Sequence, residues 1–324
     1  MSARKKTPPT SRHIRAGLGE PGITESLAWT DEEYARATHI DQAEGLRELD
    51  GDTLNDAYFA MLQMRALDGA AAALVAQGRL GSYLPTKGIE AAVMGAVAAL
   101  GPDDMVAAGP RSGAAALYRG MPVASFAAQL QGNGDELAAG RLAGWLTIPR
   151  ALNVVPGSSH AATQLPHAAG IAWAAKMQGK PTVALGYFDP QEIDAEDFHT
   201  GLNFGGVFRL PVVFVCLNDR PHAPMQTGET IAIRALAYGI AGSRVDGTDL
   251  CAVWAHVRAA VERARRGQGA TLVEAVIPAD TNPLAVSGAR LAGARILDPR
   301  AASEMQAAAE AEVRAALDAA ATRS

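Results

Sequence analysis

Three short stretches hold the side chains best placed to do chemistry. The first is Val183-Ala184-Leu185-Gly186-Tyr187-Phe188-Asp189-Pro190-Gln191-Glu192, an apolar run that predicts a strand feeding a helix. In open parallel sheets such junctions hold phosphate-bearing ligands, usually through glycines at the turn. Here no glycine follows Phe188, and the residues instead make a good helix start: Asp189 as N-cap, Pro190 at the first helical position and Glu192 three residues after the cap. Asp189, Glu192, Asp194, Glu196 and Asp197 place five carboxylates within nine residues, and no Lys or Arg stands between Lys180 and Arg209. An anion brought here meets repulsion unless a divalent ion intervenes. The second stretch, Gly109-Pro110-Arg111-Ser112-Gly113, follows a short predicted strand, so Arg111 suits either an anion or a structural ion pair. The third, Ser158-Ser159-His160-Ala161-Ala162-Thr163-Gln164, is a polar turn before a helix, rich in oxygen donors.

Alternating strands and helices position these stretches. Asp52 to Gln77 and Lys87 to Leu100 have apolar residues at helical spacing, and Gln164 to Gln178 repeats the pattern. Strands are expected at Met105 to Ala108, Thr182 to Phe188, Val212 to Leu217, Gly242 to Val245 and Thr271 to Val276. Helices are expected near Asp194 to Phe204, Thr230 to Tyr238 and Leu250 to Arg265. Strands apolar throughout, such as Val212-Val213-Phe214-Val215, indicate a mostly parallel sheet with helices on both faces, an α/β fold. Gly132 to Ser159 reads as a long wrapping segment. The chain divides into a flexible leader over 1–50, one large domain over 51–298 and an Ala/Glu-rich amphipathic helix over 299–324.

Composition narrows the partners. With 29 Lys+Arg against 34 Asp+Glu, the net charge of -5 gives no reason to expect nucleic acid or an anionic membrane surface. Cys216 and Cys251, the only cysteines, form neither a metal-ligand spacing nor a disulfide framework, which fits a reducing cytoplasm. No unbroken apolar run approaches the roughly 20 residues that span a bilayer. The basic N-terminus lacks the apolar stretch a secretory signal needs, so it reads as a tail.

From about Asn55 to Asp280 the order of motifs resembles the alpha subunit of thiamine-diphosphate-dependent 2-oxo acid dehydrogenases, above all the branched-chain type. The residues that carry the resemblance include Gly81-Ser82-Tyr83-Leu84-Pro85 leading into Gly88-Ile89-Glu90-Ala91, and Thr163-Gln164-Leu165-Pro166-His167-Ala168-Ala169-Gly170. Asp197-Phe198-His199, Leu202-Asn203-Phe204, Leu210-Pro211-Val212-Val213-Phe214 and Arg244-Val245-Asp246-Gly247 add to them. The resemblance implies a thiamine-diphosphate-binding fold, a heterotetramer with a beta subunit and a cofactor at their interface. It also implies oxidative decarboxylation of a 2-oxo acid, with the acyl group passed to a complex core.

It implies a site as well, from which this sequence departs. The family's Gly-Asp/Glu-Gly metal motif falls on Asp189-Pro190-Gln191, with Pro190 in the carboxylate position, and its Mg²⁺-binding Asn falls on Asp219. Asp189 and Asp219 are therefore the surviving divalent-metal candidates. Arg111 matches the family's diphosphate-facing arginine. Ser158, Thr163 and Gln164 match potassium-binding side chains, while Ser159 and Ala161 match backbone positions beside the aminopyrimidine. The family's two histidines fall on Leu146 and Asn282, and its metal-shell tyrosine falls on Pro221. His167 and His199 read as packing or capping residues. Two functions follow: a catalytically impaired, non-catalytic or regulatory subunit, or an active alpha subunit working with a beta partner.

Overall fold

A computed structural model describes residues 30–38, 40–41, 50–80, 83–131, 147–158, 160–219 and 230–321. Its centre is a seven-stranded, wholly parallel sheet. In chain order the strands are β1 (Ile40–Asp41), β2 (Met105–Ala107), β3 (Val154–Val155), β4 (Ala184–Phe188), β5 (Val212–Asn218), β6 (Ala241–Asp246) and β7 (Thr271–Val276). They lie in the order β1-β6-β7-β5-β4-β2-β3. The register sets Ala184 beside Val212 and Val215 beside Val273. Every residue of β4, β5 and β7 is buried, as expected of strands covered on both faces.

Strand alternation divides the core in two. Leu185, Tyr187, Val213, Val215 and Leu217 face one side and pack with Met61, Val93, Met94, Val253 and Val257. Those partners come from α2 (Gly51–Ala76), α3 (Glu90–Ala98) and α8 (Leu250–Arg265). Ala184, Phe188, Val212, Phe214 and Cys216 face the other side, against Leu165, Ala168, Phe198 and Leu202. These belong to α6 (Gln164–Met177) and α7 (Glu196–Val207). The remaining helices are α1 (Asp31–Thr38), α4 (Ala115–Tyr118), α5 (Val123–Leu130), α9 (Pro283–Gly293) and α10 (Pro299–Ala321). α10 lies on α2 and α5, where Gln63 Nε2 donates to Glu312 at 2.8 Å and Gln131 Nε2 donates to the Leu317 carbonyl at 2.9 Å.

Several elements differ from the sequence expectation. The helix expected from Asp194 is a 3-10 turn over Pro190–Asp194 followed by α7, because Ala195 between them is extended. The segment expected as a helix from Thr230 is 3-10 over Ala232–Tyr238, ended by Gly239 in the left-handed region. Two-residue strands such as β1 and β3 carry no periodicity to read. By length and mean hydropathy α2 could cross a bilayer, a feature that unbroken apolar runs do not reveal, yet half of its most apolar window is buried in the fold.

α7 crosses the Ala232–Tyr238 segment at a glycine. A Cβ on Gly206 would stand 1.9 Å from the Tyr238 carbonyl oxygen, so Gly206→Ala must push the two elements apart. Urea unfolding is expected to show a loss of about 1–3 kcal/mol. Gly170→Ala, in open space on α6, is the control and should leave stability unchanged or raise it by about 0.5–1 kcal/mol.

Candidate cofactor-binding junction

The C-terminal ends of β2, β4 and β5 are neighbours in the sheet and bring Arg111, Asp189 and Asp219 together. Asp189 leaves β4 in an extended conformation, with φ -94° and ψ 153°, and Pro190 starts the 3-10 turn. Glu192 then reaches back. One of its carboxylate oxygens accepts the Asp189 N–H at 2.7 Å, which is the Glu192 half of a capping box. The other accepts the Ala162 N–H at 2.6 Å. The Gln164 side-chain amide donates to Glu192 at 3.1 Å and to the Tyr187 carbonyl at 2.8 Å. Glu192 is thus a buried carboxylate with its donors supplied by the protein.

The Asp189 side chain turns to Arg111. A single guanidinium nitrogen, Nη1, lies 3.1 Å from Asp189 Oδ1 and 2.7 Å from Asp219 Oδ2. Arg111 Nε donates to the Pro85 carbonyl at 2.9 Å. Arg111 thus makes an ion pair with both carboxylates. Burial, the dominant influence, pushes the Asp189 carboxyl up to about 7. Arg111 opposes that rise, while the Glu192 and Asp219 charges add to it. Burial by itself would ease proton loss from Arg111, but Asp189 and Asp219 hold its affinity above the ordinary arginine value.

The polar turn before α6 is tied to the protein. Ser158 Oγ accepts the His160 N–H at 3.1 Å, Thr163 Oγ1 donates to Asp197 at 2.8 Å, and Gln164 is held as above. Gln164 Oε1 is buried with no hydrogen-bond partner among the described residues. Ala161 is exposed, Ala162 has a left-handed φ of 61°, and Ser159 lies outside the described residues. Leu146 and Pro221 also lie outside them. Asn282 sits at the N-cap position of α9, where Pro283 is buried at the first turn. His199 bonds to the Tyr238 hydroxyl, and His167 is exposed on α6. The interactions that sequence reading did not reveal include the Arg111 bridge to Asp189 and Asp219 and the contacts from Glu192 to Ala162 and Gln164. The only sequence signal for the latter was the capping pattern of Glu192 itself.

The residues at this junction differ from those the resemblance implies for thiamine diphosphate with Mg²⁺. The two candidate metal carboxylates already share a guanidinium. Asp189 and Gln191 stand where the resemblance implies the glycines that let backbone approach a diphosphate, and buried Pro190 stands at the carboxylate position between them. Among the described residues no group of three or more His, Cys, Asp or Glu is arranged to hold a metal ion.

The raised Asp189 carboxyl has a consequence for stability. An unfolded aspartate loses its proton near 3.8, whereas folded Asp189 keeps one until about pH 7. Folding therefore binds a proton between these values, and its contribution is full below about 3.8 and lost as pH rises to about 7. Asp189→Asn is expected to flatten this fall in urea midpoints measured from pH 4 to pH 7.5, while Asp318→Asn leaves it in place.

Comparison with known proteins places this geometry. Residues 58–277 match the family described as "Dehydrogenase E1 component". The chain is 36% identical over 222 residues to the 2-oxoisovalerate dehydrogenase subunit alpha 1 of Arabidopsis thaliana, covering 67% of this chain and 47% of that protein. It is 34% identical over 232 residues to the pyruvate dehydrogenase E1 component subunit alpha of Bacillus cereus, covering 70% and 60%. It is 35% identical over 251 residues to the 2-oxoisovalerate dehydrogenase subunit alpha of Bacillus subtilis, covering 74% of each. The match thus spans about half to three quarters of these relatives' own lengths. On the family match and these identities, the chain belongs to the dehydrogenase E1 component family, on its alpha-subunit side.

Proposed function

We propose that this chain is a non-catalytic or regulatory subunit of alpha type, which keeps the fold of its family and has lost thiamine-diphosphate chemistry. The observation that carries the reading is the Arg111 bridge. A cation supplied by the protein lies between the two carboxylates that would have to bind Mg²⁺. Asn282 in place of the family's loop histidine removes the group that would assist acyl transfer. No oxidative decarboxylation is assigned to this chain.

The proposed partner is a beta-type subunit, and the setting a reducing cytoplasm, consistent with free, buried Cys216 and Cys251. Support for a partner comes from the surface of α6 and α7. Trp173 stacks on Phe208 with ring centroids 4.4 Å apart, and Phe204 closes the cluster at 5.7 Å from Trp173. Beside them Met177 is 76% exposed and Val207 66% exposed, so apolar side chains extend outward from the described residues.

Calorimetric titration of the full chain with thiamine diphosphate and Mg²⁺, alone and with its beta-type partner, is expected to give no saturable heat. A Mg²⁺-dependent saturable signal at micromolar cofactor would return the chain to the active alpha subunits. Purification from the native cell is expected to bring a beta-type protein with it, and Val207→Glu should weaken that association. Elution of the unaltered chain as a lone monomer counts against the partner.

A further inference from the structure

The oxygens around Arg111 form more than a chance ion pair. Asp189 Oδ1, Asp219 Oδ2 and the Pro85 carbonyl all accept from this one guanidinium. Oxygen-only surroundings of this kind are what hard divalent cations take as ligands. A further oxygen, Asp219 Oδ1, is buried there with no hydrogen-bond partner among the described residues. The charges do not cancel either: Asp189, Asp219 and the neighbouring Glu192 are three carboxyl groups against one guanidinium.

We propose that Arg111 is the resident cation of this junction, and that its guanidinium excludes a hard divalent ion from a latent site formed by Asp189 and Asp219. The proposal rests on the non-catalytic reading above and explains it physically. The ligand carboxylates persist because they are neutralised from within, so the fold needs no metal to bring them together. Arg111 arrives on the loop after β2, Asp189 on the end of β4 and Asp219 on the end of β5. The bridge therefore ties three adjacent strand ends across the place where a divalent ion would otherwise do so.

Mn²⁺ is the probe, followed by electron paramagnetic resonance and calorimetry on the full chain. The wild-type chain is expected to show no saturable Mn²⁺ binding. Arg111→Ala should bind one Mn²⁺ per chain at least about tenfold more tightly than wild type. Arg111→Ala combined with Asp219→Asn should lose that gain, and Arg111→Lys, which restores a cation, should behave as wild type. Arg111→Gln, neutral and polar, is the second variant should Arg111→Ala fold poorly. A variant that folds only when Mn²⁺ is added supports the proposal. Equal Mn²⁺ affinity in wild type and a folded Arg111→Ala overturns it, as does misfolding of both neutral variants that Mn²⁺ leaves uncorrected. Cofactor binding by the wild-type chain with Mg²⁺ would instead defeat the non-catalytic reading, so the two failures are separable.

Discussion

Buried carboxylates that must find donors inside the protein set the structure of the junction after β4. Buried Glu192 and Asp189, with the partly buried Asp219 beside them, follow the ends of strands that the apolar core holds in fixed register. A buried charge without a partner is costly, and breaking such a pair by removing one member costs about 3–5 kcal/mol. The chain meets this demand in two ways. Glu192 draws N–H groups from Asp189, Ala162 and Gln164, which fastens the 3-10 turn to the start of α6. Arg111 serves the other two carboxylates and, through Pro85, the segment before α3. Both solutions use the protein's own groups.

The same constraint explains how much of the molecule can be read from its residues. Val212 to Asn218 announces a strand buried on both faces because no polar residue interrupts it before Asn218, and the wholly parallel sheet follows from such strands. The start of the 3-10 turn was legible too, since Asp189, Pro190 and Glu192 stand at capping positions and local chemistry decides them. The Arg111 bridge was not. Arg111 and Asp189 are 78 residues apart in sequence, and their meeting depends on β2 and β4 being neighbours. No local pattern carries strand order. Gln164 shows the same limit: its place before a helix was evident, but its amide turns inward to Glu192 because α6 packs against β4. α9 could have been anticipated, for Asn282 followed by Pro283 is an N-terminal signal.

Membership of the family and possession of its chemistry rest on different atoms. The family match runs over residues 58–277, which contain β2 to β7 and the helices that cover them. What holds that region together is apolar. Phe214, Phe198 and Leu165 interlock on one face, and Met94, Val253 and Leu185 on the other. The residues that decide cofactor chemistry occupy the loops at strand ends, where substitutions leave these contacts alone. Replacing a glycine by Asp189 at such an end requires only that the new carboxylate acquire a partner, and Arg111 is within 3.1 Å. High similarity across the sheet is therefore compatible with a changed junction.

Charge balance constrains how such a change can occur. A divalent ion and a diphosphate arrive together with opposing charges, so a site that binds both can carry carboxylates and an arginine without internal pairing. Without them, the same carboxylates repel one another and the arginine is left facing them. Collapse of the guanidinium onto Asp189 and Asp219 relieves both effects at once, and the nearly full burial of Asp189 makes this relief larger than it would be at a solvated surface. Glu192 stands outside this pairing and accepts three N–H donors of its own. The geometry around Arg111 is thus the arrangement electrostatics favours among these three side chains themselves.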